Sequence, residues 1–151
     1  MQQYRINHSN QCAFMRKELR IKNQMAELEK VNQFIDEIGE EMGLSMELTM
    51  NLNLVMEEMV VNVISYAYSE GSDAEIEILA KSDDKELTLV LSDQGREFDP
   101  TMKGDSDMSV NPAEREIGGM GIFIVKNIMN KVTYQRLDGK NLLTMTKSIN
   151  D

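Results

Sequence analysis

The 151-residue chain has a single cysteine, Cys12, so it can form no intramolecular disulfide and has no second thiol for a cysteine-based zinc site. That usage suits a reducing cytoplasm. The chain also lacks any apolar run near the ~20 residues that cross a bilayer. Its start, Met1 to Asn10, is polar where a leader would show a basic stretch and then an apolar one. Neither a membrane span nor export is expected. Positive charge is scarce: 16 Lys and Arg stand against 26 Asp and Glu, a formal net charge of −10. Such a surface repels a nucleic-acid backbone, so direct nucleic-acid binding is not expected; a protein partner or a metal-screened nucleotide fits better.

What is present is enough for one core. Hydrophobic residues make up 41% of the chain, and the length suits a single domain. The thirteen methionines could form an adaptable surface, but most fall at helix-periodic or strand-alternating positions, which predicts core filling.

The first fourteen residues lack a clear period and read as a tail or as a strand added to a sheet edge. Residues 15–151 read as one domain. Met15 to Ile21 alternates like a strand, and Gln24 to Met42 carries Met25, Leu28, Val31, Ile35 and Ile38 at helical spacing until Gly43 stops it. Ser45 is placed to cap a second, mostly buried helix that continues to about Tyr68. Glu75 to Lys81 and Leu87 to Leu91 alternate around the polar turn Ser82-Asp83-Asp84, which predicts a hairpin. Pro100 to Gly118 is polar and aperiodic, a loop. Ile122 to Asn130 reads as a short helix, and Val132 to Leu137 with Leu142 to Ile149 as a second hairpin across Asp138-Gly139. Two hairpins with interspersed helices predict an α+β fold: a two-layer α/β sandwich, its mixed, mostly antiparallel sheet covered on one face by helices.

Three segments could carry chemistry. On the second helix Asn51, Glu58, Asn62, Ser65 and Ser69 fall within one stripe, with Leu52, Met56, Met59, Val60, Val63 and Ala67 opposite. A solvent-exposed edge reads the same way, but Asn53 and Glu57 already supply one, so the stripe suggests a wet cavity in which Glu58 and Asn62 face a metal-bound phosphate. Asp93 ends a strand with Gly95 two residues on: the carboxylate can accept from an exocyclic amine, and the glycine lets backbone approach a planar ring. An ordinary turn looks alike. Gly118-Gly119-Met120-Gly121 directly precedes the helix at Ile122, where free backbone N–H groups favour phosphate oxygens. A plain flexible junction is the alternative. Neither a Walker A loop nor a dinucleotide fingerprint is present, since no Gly-Lys-Ser/Thr follows and no strand precedes this helix.

Read in order, these segments resemble the N, G1 and G2 boxes of the GHKL (Bergerat-fold) ATPases, and within them the anti-sigma-factor serine kinases, which carry a histidine-kinase-like ATPase domain. The N box is Glu58-Met59-Val60-Val61-Asn62-Val63-Ile64-Ser65-Tyr66-Ala67-Tyr68, the G1 box Asp93-x-Gly95-x-x-Phe98-Asp99-Pro100, and the G2 box Gly119-Met120-Gly121-Ile122. The resemblance spans roughly residues 15–149. It implies that Asn62 coordinates Mg²⁺, Asp93 recognises the adenine amine of ATP and Gly95 lines the purine pocket. It further implies that Gly119 and Gly121 present backbone to the phosphates, that residues 100–118 form the ATP lid, and that Glu58 is the general base acting on a serine hydroxyl. The implied partner is a STAS-type anti-sigma antagonist, with a sigma factor competing for the same protein, and a homodimer is compatible with it.

Three positions depart from the family pattern. Tyr66 stands where many members have histidine, Lys30 lies where some relatives use arginine against partners, and Asn141 sits near a strand position that often offers threonine to the adenine pocket. A complete sensor histidine kinase is not expected, because the only histidine, His8, lies in the aperiodic start. The chain is also too short for the transducer domains of mismatch-repair or topoisomerase ATPases. A small kinase is the expectation, against a nucleotide-dependent binding module that transfers nothing.

Overall fold

Alternation along five segments builds most of one sheet, because residues two apart share a face. A computed structural model of the chain describes residues 2–7, 12–68, 73–102 and 119–149. Its strands are β1 (Gln2–Asn7), β2 (Cys12–Lys22), β3 (Glu75–Ser82), β4 (Glu86–Asp93), β5 (Lys131–Leu137) and β6 (Lys140–Ser148). They form a six-stranded sheet in the order β1-β2-β3-β4-β6-β5. Every pairing is antiparallel, so the parallel component that a mixed sheet allows does not occur among the described residues. Gln2–Asn7 is an edge strand paired to β2, and β2 is longer at both ends than the alternation from Met15 to Ile21 predicts.

One face of the sheet is apolar and buried: Met15 and Ile21 on β2, Ile76, Ile78 and Ala80 on β3, Leu87, Leu89 and Leu91 on β4, and Leu143 and Met145 on β6. Three helices cover it: α1 (Leu28–Met42), α2 (Met46–Asn62) and α3 (Gly119–Ile128). Val31, Phe34, Ile35 and Ile38 from α1, Leu52, Val55, Met56, Met59 and Val60 from α2, and Ile122 and Val125 from α3 complete the core. Each large aliphatic side chain buried there contributes about 1.5–3 kcal/mol. No helix among the described residues is long and apolar enough to cross a membrane.

Local signals set the helix ends. Gly43 takes the left-handed conformation, φ 66°, that closes α1, and the Ser45 hydroxyl accepts the Leu48 N–H at 3.0 Å to cap α2. The stretch Met25–Glu27 is a 3₁₀ turn rather than the start of α1. α2 does not run on as a regular helix to Tyr68; after Asn62 it widens into a π-helical turn, Val63–Ala67. α3 starts at Gly119, three residues before the expected Ile122, and stops at Ile128. Gly119 and Gly121, expected to precede the helix, therefore stand in its first turn, while Gly118 lies outside the described residues.

The two-residue turn between β5 and β6 decides a register. Asp138 and Gly139 have φ of 51° and 77°, the paired positive values of a hairpin turn whose twist suits the strands. Leu137 is thereby set opposite Lys140, Arg136 opposite Asn141 and Tyr134 opposite Leu143. The β4–β6 ladder sets Asn141 opposite Asp93. Arg136, Asn141 and Asp93 thus lie in one row across three strands, on the face toward the helices.

Candidate functional site

That row is hydrogen-bonded throughout. Asn141, 5% exposed, donates from Nδ2 to Asp93 Oδ1 at 2.8 Å and to the Arg96 carbonyl at 2.8 Å. Its Oδ1 accepts from the Tyr134 hydroxyl, from Arg136 at 3.1 Å and from the Phe98 N–H at 3.2 Å. Arg136 also donates to the Gly95 carbonyl at 2.8 Å. Asn141 therefore anchors the whole turn after β4. The sequence marks it only as a departure from a family position. No motif marks Tyr134 or Arg136, although an arginine at a position that alternates with Val132 and Tyr134 on the sheet's inner face is a legible signal.

Asp93 ends β4 with its side chain buried, 5% exposed. Burial raises its carboxyl above the ordinary 3.8, opposed by the hydrogen bonds from Asn141 and the Gly95 N–H and by the charge of Arg136. Both hydrogen bonds fall on Oδ1, which leaves Oδ2 as the acceptor available to a donor in the cleft.

Gly95 has backbone packed where a side chain would stand. A Cβ there would sit 2.3 Å from the Ala67 carbonyl oxygen and 2.8 Å from its carbon. The π-helical turn presses that carbonyl against the G1 turn, where it also accepts the Arg96 N–H at 2.9 Å. Arg96 Nε donates to the Tyr66 carbonyl, and the Tyr66 and Phe98 rings stack with centroids 5.1 Å apart. Tyr66, which replaces the familiar histidine, here joins the N and G1 segments. After Phe98, Asp99 Oδ1 accepts from the Thr101 N–H at 2.8 Å and so begins the 3₁₀ turn Pro100–Met102. The rest of the expected lid, 103–118, lies outside the described residues, as does Ser69.

The polar stripe on α2 divides on folding. Asn62 is buried, 1% exposed, and its Oδ1 finds no hydrogen-bond partner among the described residues. Ser65 points into solvent, because the π turn changes the angular step after Asn62. Asn51 and Glu58 are half-buried. Met59, Asn62, Leu91, Asp93, Phe98, Tyr134 and Asn141 all line one cavity of about 10 Å³, room for roughly one water.

Glu58 meets the third segment. A Cβ built on Gly121 would lie 3.3 Å from both Glu58 Cβ and Glu58 Oε2. A side chain at 121 would crowd the carboxylate, so glycine there lets α3 approach α2 and sets Glu58 beside the first turn of α3. Gly119 opens that turn, where the first N–H groups have no intrahelical acceptor. Glu58, Asn62, Asp93, Gly95, Gly119 and Gly121 are thus gathered at one end of the helical layer, from α2, the end of β4 and the start of α3. Lys30 is not among them; it is exposed on α1 and pairs with Glu27 at 2.9 Å.

The pattern of the histidine kinase-like ATPase domain matches residues 21–147. The chain is 30% identical to the serine/threonine-protein kinase BtrW of Bordetella bronchiseptica, over 68% of this chain and 72% of that one. It is 29% identical to the serine-protein kinase RsbW of Listeria monocytogenes, over 76% and 74% respectively. Among solved structures, a chain of the SiaB–SiaC complex from Pseudomonas aeruginosa shares the fold with a TM-score of 0.55 at 11% identity, covering 88% of this chain and 89% of that one. The histidine kinase domain of the blue-light-activated kinase from Erythrobacter litoralis does so with a TM-score of 0.51 at 15% identity, covering 82% and 60%. With the pattern matched from residue 21 to residue 147, over all three helices and the strands β3 to β6, the chain belongs to the histidine kinase-like ATPase domain family.

Proposed function

We infer that this chain is an ATP-dependent protein-serine kinase of the anti-sigma type, which phosphorylates a STAS-type antagonist and binds a sigma factor in competition with it, in the cytoplasm. The observation that carries the reading is the Oδ1 of buried Asn62, without a hydrogen-bond partner among the described residues, one helical turn from a carboxylate that rests against the start of α3. A buried amide oxygen without a partner costs about 1–3 kcal/mol, and a hard divalent cation is the partner its chemistry suits. The similarity to two proteins named serine kinases supports the same reading.

When bound, Mg·ATP supplies the phosphoryl group and the metal charge that offsets the phosphates. Asn62 holds the metal through Oδ1. Asp93 accepts from the exocyclic amine through Oδ2, Gly95 lines the purine pocket, and the first-turn N–H groups at Gly119 and Gly121 face the phosphate oxygens. Glu58 orients the serine hydroxyl and takes its proton. The cavity of about 10 Å³ is too small for a purine, so binding displaces wall side chains, of which Phe98 and Tyr134 are half-buried. A pair of copies of the chain fits this reading equally well.

The test is transfer from labelled ATP to a purified STAS-type protein. Glu58→Gln keeps size and hydrogen bonding but removes the base, so transfer should fall by a factor on the order of 10² to 10⁴ while ATP affinity holds. Wild-type protein that binds both ATP and the acceptor and phosphorylates no serine would leave a binding module, and the kinase reading would fail.

A further inference from the structure

The methionines are not all core. Of the ten whose side chains are described, Met15, Met56, Met59, Met129 and Met145 are buried, whereas Met25, Met46, Met50 and Met102 are exposed. Two of the exposed ones belong to a single stripe. Met46 is 80% exposed, Met50 65% and Leu54 41%, and they recur every four residues along α2. Residues four apart stack on one helix face. The next position in that series is Glu58. From Met46 to Glu58 the stripe runs about 18 Å, a little over three turns.

Single exposed apolar side chains are ordinary. Three in a row, ending one turn from the proposed base, are different: they offer a continuous, deformable apolar track toward the place where a hydroxyl must arrive. The charge around the track limits what it can bind. Glu47 and Glu57 border it and are exposed, and α1 and α2 together carry five and three carboxylates against one lysine, Lys30. A second copy of this acidic helical layer would be repelled there.

Resting on the kinase reading above, we propose that Met46, Met50 and Leu54 are the docking track for an amphipathic helix of the phosphate-accepting protein, with apolar side chains bordered by Lys or Arg. Seated along α2, that helix delivers its neighbouring serine to Glu58. The methionines conform to its side chains, and the acidic borders set its orientation and favour it over acidic helices.

The test uses two labelled amphipathic peptides of about three turns, each with a leucine stripe and a serine after its last turn. One is bordered by lysines and the other by glutamates. Fluorescence anisotropy is read on wild type, on the Met50→Ser/Leu54→Ser double variant and on Glu58→Gln, all with a fluorescent ATP analogue bound. Wild type should bind the lysine-bordered peptide at least about tenfold more tightly than the glutamate-bordered one, and less tightly as salt rises. The double variant should lose about tenfold or more for the lysine-bordered peptide with unchanged affinity for the ATP analogue, and Glu58→Gln should bind it like wild type. Equal binding by wild type and the double variant, or equal binding of both peptides, would overturn the track. So would sedimentation showing a wild-type dimer that the double variant dissociates, since the stripe would then join two copies. If the peptide docks as expected but its serine receives no phosphate, the kinase reading falls and the track stands; if phosphate is transferred while the double variant docks normally, the reverse holds.

Discussion

Asn141 Nδ2 donates to Asp93 Oδ1 at 2.8 Å across the β4–β6 ladder, and the same amide holds Arg96, Phe98, Tyr134 and Arg136. One side chain therefore ties the carboxylate to the turn that follows it. Asn141→Ala removes the hub: Asp93 and Arg136 keep their bonds to Gly95, while the Tyr134 hydroxyl and the Arg96 carbonyl lose theirs to Asn141. The expected cost is about 2–4 kcal/mol in a denaturant melt, with weaker ATP binding in calorimetry. Asn141→Thr, which keeps one hydroxyl for Asp93 and no second arm for the turn, should fall between. An alanine variant as stable as wild type would show that the network contributes little.

Gly95→Ala should destabilise through the backbone. The new methyl would meet the Ala67 carbonyl at 2.3 Å, and neither the π turn nor the G1 turn can yield by rotating a side chain. A loss of about 2–4 kcal/mol is expected, in the range of core overpacking and local strain. Gly139→Ala, strained by a φ of 77° but with nothing within 4 Å of its Cβ, should cost less. Comparing the two melts separates collision from conformation.

Asn62→Ala should behave unlike the loss of a satisfied buried amide. Because Oδ1 has no hydrogen-bond partner among the described residues, deleting it relieves a desolvated group as well as opening space, and the nucleotide-free protein should change by less than about 1 kcal/mol. The magnesium-dependent part of ATP binding should vanish. Titrations with and without magnesium test both halves, and an Asn62→Ala variant that retained its magnesium dependence would remove Asn62 from the metal site.

Asp93 predicts a sign in the pH dependence. Burial raises its carboxyl above the ordinary 3.8 against the hydrogen bonds of Asn141 and Gly95 and the charge of Arg136. Between 3.8 and the raised value the folded chain holds more protons than the unfolded one, so this group's contribution is full below 3.8 and is lost as pH rises through its folded value. Asp93→Asn lacks that dependence. The stability of wild type relative to the variant, read from denaturant melts, should decline as pH rises through that window and then level off; a rise would mean that the hydrogen bonds outweigh burial. The variant should also bind ATP more weakly, since an acceptor becomes partly a donor.

Much of this chain is decided by neighbours close in sequence. Ser45 and Gly43 end their helices through contacts within a few residues, Asp138-Gly139 makes its hairpin turn from its own φ preferences, and the period of two in β3, β4 and β6 already divides a buried face from an open one. Those signals need no knowledge of the rest of the fold, and they suffice for a two-layer α+β sandwich and for the order of its three boxes. The tertiary structure decided what distance along the chain hides. Asp93 and Asn141 are 48 residues apart, and only the ladder register makes them partners. The close approach of Gly95 to Ala67 depends on α2 widening into a π turn, which shifts Ser65 off the stripe it shares with Asn62 in a regular helix. The glycines at 119 and 121 stand inside α3, and at 121 α2 packs close, with Glu58 in the space that a side chain there would crowd. The reading of the methionines as mostly core filling does not extend to Met46 and Met50, which are exposed. α2 has only so much circumference to bury between α1, α3 and the sheet, and the side that faces none of them leaves its methionines in water.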